Sequence, residues 1–342
     1  VKDKLTILIS LSATDDAIDR LRRVCPSADI RIGPWITTFD QKLDASLLQG
    51  VDILLCEIPP TNFDDFDQLK WMQLTSAGYN HVLHLPLLER GIRVTNGLGN
   101  FDGPIGQWCN MMMLMWHREM LEQLANQKEK IWSQDGRYQR DIYGSTIGFW
   151  GYGGIARETA RLAKSMGVTV HALTRDGKTR RRDMTYCVAG TGDPEGVLPD
   201  RVFAPSQLKE FLGGLDYLFL GMALTDETTG IIGEAELRML KPSAVLINPT
   251  RAAIIEEQAM IRCMSEKWIR GASLDVHYAY PLPPEHPLWS MQNVILTPHI
   301  SGSSASSHFM TRIYDIFGQN LARYINTRPL LNELTDAQLR GK

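Results

Sequence analysis

This sequence lacks a run of apolar residues long enough to cross a bilayer. Its most apolar later stretch, Trp108 to Trp116, is far shorter than the ~20 residues a spanning helix needs. It also lacks an excess of either charge. With 36 Lys and Arg against 39 Asp and Glu, the formal net charge is −3, which gives no reason to expect nucleic acid or a membrane surface as partner. Cysteine is scarce. The five residues at positions 25, 56, 109, 187 and 263 are scattered and lack CxxC spacing, which argues for reduced thiols and against a zinc site. His81 and His84 form an HxxH without further ligands, so they are read as structural and no metal is expected. No repeat of solenoid type is visible. Charged Lys2, Asp3 and Lys4 precede only a strand-length apolar run, so no secretory leader is read and the expected compartment is the cytoplasm. A chain of 342 residues is expected to form one or two domains with ample core.

What the sequence does have is one organising stretch, Ile147-Gly-Phe-Trp-Gly151-Tyr-Gly153-Gly154-Ile155-Ala156. A strand-like segment runs into Gly151-x-Gly153-x-x-Ala156, a helical pattern follows from Glu158 to Met166, and a second strand runs from Val168 to Leu173. In that context Gly151 permits a tight turn and Gly153 lets the backbone approach a pyrophosphate. Ala156 allows close helix–strand packing, and the free N–H groups of the helix start hold phosphates. The acid expected about twenty residues beyond the glycines, which would bind ribose hydroxyls, is missing. Thr174 and Arg175 stand there, and Lys178, Arg180, Arg181 and Arg182 continue the basic run. A hydroxyl and a guanidinium accept a 2′-phosphate that a carboxylate would repel, so NADP is expected rather than NAD.

Taken in order, Leu5–Ser10, Asp29–Ile32, Val51–Ile58, Leu69–Thr75 and Ile92–Thr95 read as short strands, with a helix over Asp15–Val24 and a helix end at Leu47-Leu48. Their alternation implies a parallel sheet with crossover helices, and this unit carries no phosphate-binding fingerprint. Two of its loops, Thr75–Asn80 and Asn96–Asn100, place small residues after strand ends, where backbone N–H groups can face a carboxylate. Pro104 opens a helix expected to reach Leu124, apolar around much of its circumference and expected to contribute to a homodimer interface. Asn126–Asp141 reads as a connecting loop and Thr185–Pro205 as an insertion loop. Strands are expected at Leu215–Leu220, Ala244–Asn248, Gly271–Asp275 and Val294–Thr297, with helices at Glu234–Leu240, Ile254–Glu266 and Ser303–Ile325. The last helix is expected to return to the first domain. The expected division is residues 1–103 plus 305–342 on the substrate side and 104–304 as the nucleotide domain.

Three polar residues follow strand ends on the nucleotide side, where ligands bind in open α/β sheets: Arg251, Asp275 and His299. At this point the chain resembles the D-isomer-specific 2-hydroxyacid dehydrogenases. The resemblance rests on Asn248-Pro249-Thr250-Arg251-Ala, Leu274-Asp275-Val276, Pro283-Pro-Glu285-His-Pro-Leu-Trp289 and Leu296-Thr-Pro-His299-Ile. Ser76-Ala77-Gly78, Asn96-Gly-Leu-Gly99 and Leu224-Thr-Asp-Glu-Thr-Thr-Gly230 add to it, from roughly Asp52 to Ile325. It implies an α/β fold of two Rossmann-like, doubly wound parallel-sheet domains with the active site in the cleft between them, and usually a dimer using NAD(H) or NADP(H). It implies that Arg251 binds the substrate carboxylate and polarises the reacting carbonyl, and that His299 is the acid–base. Asp275 would lie near the nicotinamide carboxamide, and Ser76, Ala77 and Gly78 would bind substrate. The expected cofactor contacts are Gly151, Gly153, Gly154, Ile155, Thr174, Arg175, Lys178, Met222, Pro249, Thr250, Asp275, Ser301 and Gly302.

One departure matters. The family places a glutamate five residues after the aspartate, paired with the histidine; here Tyr280 stands there. Without that carboxylate His299 should lie nearer its reference pKa of about 6.5, with about a quarter of it protonated at neutral pH. Two accounts follow. The protein is a 2-oxo-acid reductase with an acid-shifted profile or a helper such as Glu285, acting on glyoxylate, hydroxypyruvate or an aryl pyruvate. Alternatively it serves a hydride transfer that needs no strong proton donor, as in the formate dehydrogenases, which also lack that glutamate. A weakly catalytic, nucleotide-sensing binding protein is the rival from another class.

Overall fold

The computed structural model describes residues 4–302 and 304–341, without the side chain of residue 307. Lys2, Asp3 and Ser303, used in the sequence reading, lie outside the described residues. The chain divides into two compact units. The first comprises residues up to Asn100, Asp183–Val188, and those from Ala305 on; the second comprises Phe101–Arg182 and Ala189–Ser304.

In the first unit, β1 (Thr6–Ser10), β2 (Asp29–Ile32), β3 (Ile53–Cys56), β4 (Trp71–Leu74) and β5 (Arg93–Thr95) form a parallel sheet in the order β2-β1-β3-β4-β5. Every residue of β3 and β4 is buried, as expected of strands covered on both faces. The last long helix, Ser307–Ile325, packs on the helix Asp15–Val24 and is stitched to the sheet by a polar network. Within it Asn320 Nδ2 donates to Gln73 Oε1 at 3.1 Å, and the Thr95 hydroxyl donates to the same oxygen at 2.7 Å. Trp71 Nε1 in turn donates to Thr95 at 2.8 Å, while its ring lies against Phe317 and Tyr324.

The second unit holds seven parallel strands, β6 (Thr146–Trp150), β7 (Thr169–Leu173), β8 (Arg201–Phe203), β9 (Tyr217–Leu220), β10 (Val245–Asn248), β11 (Gly271–Leu274) and β12 (Val294–Leu296). Their order is β12-β11-β10-β9-β6-β7-β8. Period-two alternation builds two cores. Tyr217, Phe219, Val245 and Ile247 join Phe149 and Val170 on one face, while Leu218, Leu220 and Leu246 join Ala272 and Leu274 on the other. The expected α/β class with two parallel sheets is therefore what the chain forms. No helix among the described residues is long and apolar enough to cross a membrane.

The structure departs from several of these expectations. The helix read from Pro104 to Leu124 is two helices, Asp102–His117 and Met120–Lys128, broken where Glu119 turns left-handed at φ 52°. Arg270 holds the break: its Nη2 donates to the Trp116 carbonyl at 2.6 Å and pairs with Glu119 at 2.6 Å. The second helix also takes up the start of the stretch read as a connecting loop.

The Thr185–Pro205 stretch, read as an insertion loop, contains β8 and belongs to a firmly anchored strap. Asp193, buried, accepts from the Tyr152 hydroxyl at 2.9 Å and from the N–H groups of Gly196, Val197 and Leu198 at 3.0 Å. Arg157, also buried, donates to the carbonyls of Tyr152 at 3.2 Å, Arg180 at 2.7 Å and Asp193. Part of the strap, Asp183–Val188, groups with the first unit although the sequence division placed it in 104–304. There Tyr186 is buried, with its N–H on Asn332 Oδ1 at 3.0 Å and its hydroxyl on Asp315 at 2.7 Å.

Replacing Asp193 by Ala leaves a phenol and the backbone N–H groups of Val197 and Leu198 without their acceptor, while the Gly196 N–H keeps the backbone carbonyl of residue 193 at 3.1 Å. The expected loss is about 3 kcal/mol of unfolding free energy, read by urea denaturation.

Candidate active site

The dinucleotide fingerprint forms as its residue types require. β6 ends at Trp150 and Gly151 turns the chain at φ 91°, where a Cβ would lie 2.8 Å from the Gly221 carbonyl carbon and 2.9 Å from Met222 N. Only glycine fits there. Gly153 caps the helix Gly154–Ser165, and Ala156, fully buried, packs beneath it. Gly154 and Ile155 supply N–H groups at the first turn that have no helical partner. Among the cofactor residues expected farther on, Met222 follows β9 and Pro249 lies buried after β10. Gly302 packs against the Phe101 ring, where a Cβ would come within 3.1 Å.

At the end of β7 the Thr174 hydroxyl closes a tight loop. It accepts from the Lys178 N–H at 2.9 Å and donates to the Lys178 carbonyl at 3.0 Å. That hydroxyl shapes the loop, and the exposed basic groups lie on it. Arg180 pairs with Asp176 and Arg181 with Glu195 at 3.3 Å, whereas Arg175 and Lys178 form no ion pair among the described residues. Two of the basic side chains are thus left for an anion.

Three neighbouring strands, β10, β11 and β12, carry the polar residues. After β10, Asn248 Oδ1 accepts from the N–H and hydroxyl of Thr250 at 3.0 Å each, while its Nδ2 donates to the Arg251 carbonyl at 3.0 Å. This turn presents Arg251 to solvent, its Nη1 resting on the Thr250 carbonyl at 2.6 Å. After β11 comes Asp275, with no exposed surface. Its oxygens accept from the Thr297 hydroxyl at 2.5 Å, Ile300 N–H at 2.9 Å, Ser301 N–H at 3.0 Å and the Ser301 hydroxyl. All four donors come from the loop after β12, so Asp275 fixes the loop that carries His299. That residue sits in the left-handed region at φ 57°. Ser301, expected at the cofactor, is buried against Asp275.

The imidazole of His299 is held below its ordinary pKa. Desolvation is the largest cause, Arg251 and His277 push the same way, and Asp275 opposes them. Glu285, the expected helper, is not among the groups acting on it. The Tyr280 ring lies beside His299 with centroids 5.4 Å apart. Its hydroxyl accepts from the His277 N–H at 3.2 Å, so the phenol turns back onto its own loop. His277 was not anticipated. Its Nε2 lies 2.8 Å from the Thr297 carbonyl, which ties it to the same loop. Its only sequence signal was its place between Asp275 and Tyr280.

In the first unit, the loop after β4 carries Ser76, Ala77 and Gly78. Asn96 Nδ2 donates to the Ala77 carbonyl at 2.8 Å and Gly97 N–H to the Ser76 carbonyl at 2.8 Å, which joins this loop to the one after β5. The Ser76 hydroxyl donates to the Gly78 carbonyl at 2.7 Å. The N–H groups of Ala77 and Gly78 donate to no described residue. His81, read as structural, packs on Phe39 with Nε2 3.2 Å from the Glu57 carbonyl.

Residues 110–301, more than half of the chain, match the model of the D-isomer specific 2-hydroxyacid dehydrogenase NAD binding domain. The chain belongs to the D-isomer specific 2-hydroxyacid dehydrogenase family. A glyoxylate reductase of Thermofilum pendens is 30% identical over 282 residues, 80% of this chain and 78% of that protein. Among solved structures, a family protein from Aeromonas salmonicida superposes with a TM-score of 0.77 at 23% identity, covering 97% of this chain and 99% of that one. The NADPH-dependent glyoxylate/hydroxypyruvate reductase of Sinorhizobium meliloti, in complex with NADP and sulfate, superposes with a TM-score of 0.72 at 23% identity, covering 98% and 99%. This dehydrogenase is accordingly an NAD(P)-dependent oxidoreductase.

The desolvated imidazole gives a spectroscopic expectation. In an NMR titration His299 should titrate below the ordinary histidine range, and Tyr280→Glu should move it upward by about one to three pH units.

Proposed function

We propose that this dehydrogenase reduces a small 2-oxo acid, such as glyoxylate or hydroxypyruvate, to the D-2-hydroxy acid with NADPH. The observation that carries the reading is the pairing of Arg251 and His299 on loops after β10 and β12, close enough that the guanidinium depresses the imidazole's proton affinity. Arg251 binds the substrate carboxylate and polarises the carbonyl; free N–H groups of Ala77 and Gly78 are the first unit's anion donors. The nicotinamide, when bound, supplies the hydride. His299 gives its proton to the carbonyl oxygen as charge develops there. Asp275 acts by holding the His299 loop. Tyr280 flanks the imidazole as a neutral wall and reshapes the pocket where the family has a carboxylate.

The cofactor preference rests on the residues after β7. Arg175 and Lys178 are exposed and without ion pairs among the described residues, and no acid stands at the ribose position. NADP chemistry in the Sinorhizobium meliloti reductase agrees with it. The same reading places the protein in the cytoplasm, as a homodimer through the 104–124 region, where Met111, Leu114, Met120 and Leu124 are exposed.

Since reduction needs the imidazolium and His299 is depressed in the free protein, kcat/KM for 2-oxo acids should rise as pH falls and its arm should lie below about 6.5. Tyr280→Glu should carry that arm upward and raise turnover at neutral pH. A gain confirms the reductase; loss of the native reaction with no gain favours a hydride transfer without a proton donor. Arg175→Ser should cost about tenfold in kcat/KM for NADPH while leaving NADH nearly unchanged, checked by steady-state kinetics with both cofactors.

A further inference from the structure

The glycine turn contains one group that its phosphate-binding task does not call for. Asp102, first residue of the helix Asp102–His117, is 8% exposed and lies against Gly154, the first residue of the helix Gly154–Ser165. A Cβ on Gly154 would stand 2.0 Å from Asp102 Oδ2 and 2.8 Å from Oδ1. Position 154 is therefore a glycine because a carboxyl group occupies the space of its side chain. Neither oxygen of Asp102 accepts a hydrogen bond among the described residues. The N–H groups of this first turn are where a dinucleotide's pyrophosphate binds. A carboxylate parked there adds a negative charge at the one place built to receive another.

We propose that Asp102 enters the cofactor complex as a neutral carboxylic acid, so that binding of the dinucleotide pyrophosphate at the Gly151–Ala156 turn takes up one proton. The proposal rests on the dinucleotide reading of that turn and concerns cofactor binding alone. Two charged groups face the carboxyl. Arg182, from the strap, favours its ionised form; Glu158, on the helix behind Gly154, opposes it. Burial exceeds both and raises its pKa to about 6. A bound pyrophosphate acts in the same direction as Glu158, raising the value further. Since the bound-state pKa then exceeds the free one, affinity is highest below the free pKa. It falls as pH rises between the two values and is flat and weak above them. In the protonated form the O–H is a donor beside the phosphate oxygens, which the ionised form is not.

The test is the ratio of NADPH dissociation constants, wild type over Asp102→Asn, measured by tryptophan fluorescence from pH 5 to 8.5. The ratio cancels titration of the cofactor's own 2′-phosphate and of His299. It should be near one at pH 5 and rise to about tenfold or more at pH 8, since each unit between the two pKa values changes affinity up to about tenfold. Asp102→Ser, smaller and neutral, should reproduce the rise if the Asn variant folds poorly. Calorimetry at pH 7 in buffers of different ionisation enthalpy should show proton uptake by wild type and less by either variant. A flat ratio, or weaker binding by both variants at pH 8, would overturn the proposal. The second result would mean that the carboxylate accepts a hydroxyl of the ligand. Because turnover is not read, either outcome leaves the reductase assignment to its own tests.

Discussion

The loop that carries His299 depends on one buried carboxylate. Asp275 has no exposed surface, and polar oxygens so placed are tolerated only if they are met by donors. They are met by residues between Thr297 and Ser301, which fixes that loop and holds His299 in a backbone conformation uncommon for a side chain of its kind. Asn248 does the equivalent one strand away, closing a turn with its amide so that Arg251 stands clear. In both cases a strand end is followed by a polar side chain whose work is to shape backbone, and the proposed reacting group is a neighbour. The rigid sheet beneath, apolar on both faces, gives these loops a fixed base.

The electrostatics around His299 have a coherent sense. Arg251 and His277 disfavour a positive imidazole and only Asp275 favours it, since the place of a closer carboxylate is taken by Tyr280. Such a field suits an anionic ligand. A carboxylate held by Arg251 would cancel part of the guanidinium's effect and return proton affinity to the histidine when a substrate is present. A fixed acid and a bound anion would act on the imidazole in the same direction.

Much of this was legible before any coordinates. Strands buried on both faces read as apolar runs, which made β1, β3, β9 and β10 plain. The glycine spacing located the turn because only glycine tolerates the geometry at 151. Arg251, Asp275 and His299 stood out as candidates because each follows a strand end in a recognisable motif. What stayed hidden depends on partners distant in sequence. The break at Glu119 is held by Arg270, and helical periodicity carries no trace of a residue so far along. The strap looked like loose loop because its order comes from Asp193, Arg157 and Tyr152, polar residues in unremarkable contexts. Nothing in the sequence marks Asp102, since an acid in a first helical turn is ordinarily favoured.

The strap also bears on how the chain is made. The first unit takes in Tyr186 and the helix Ser307–Ile325, so one face of its sheet, the one that carries Trp71 and Gln73, is completed only by residues far along the chain. Gln73 must wait for Asn320 to reach it, a separation of 247 residues. The second unit, contiguous apart from the few residues lent to its neighbour, can close first and serve as the nucleus. Synthesis therefore runs ahead of assembly in this unit: the face of β4 that carries Trp71 and Gln73 gains its cover only with the helix Ser307–Ile325.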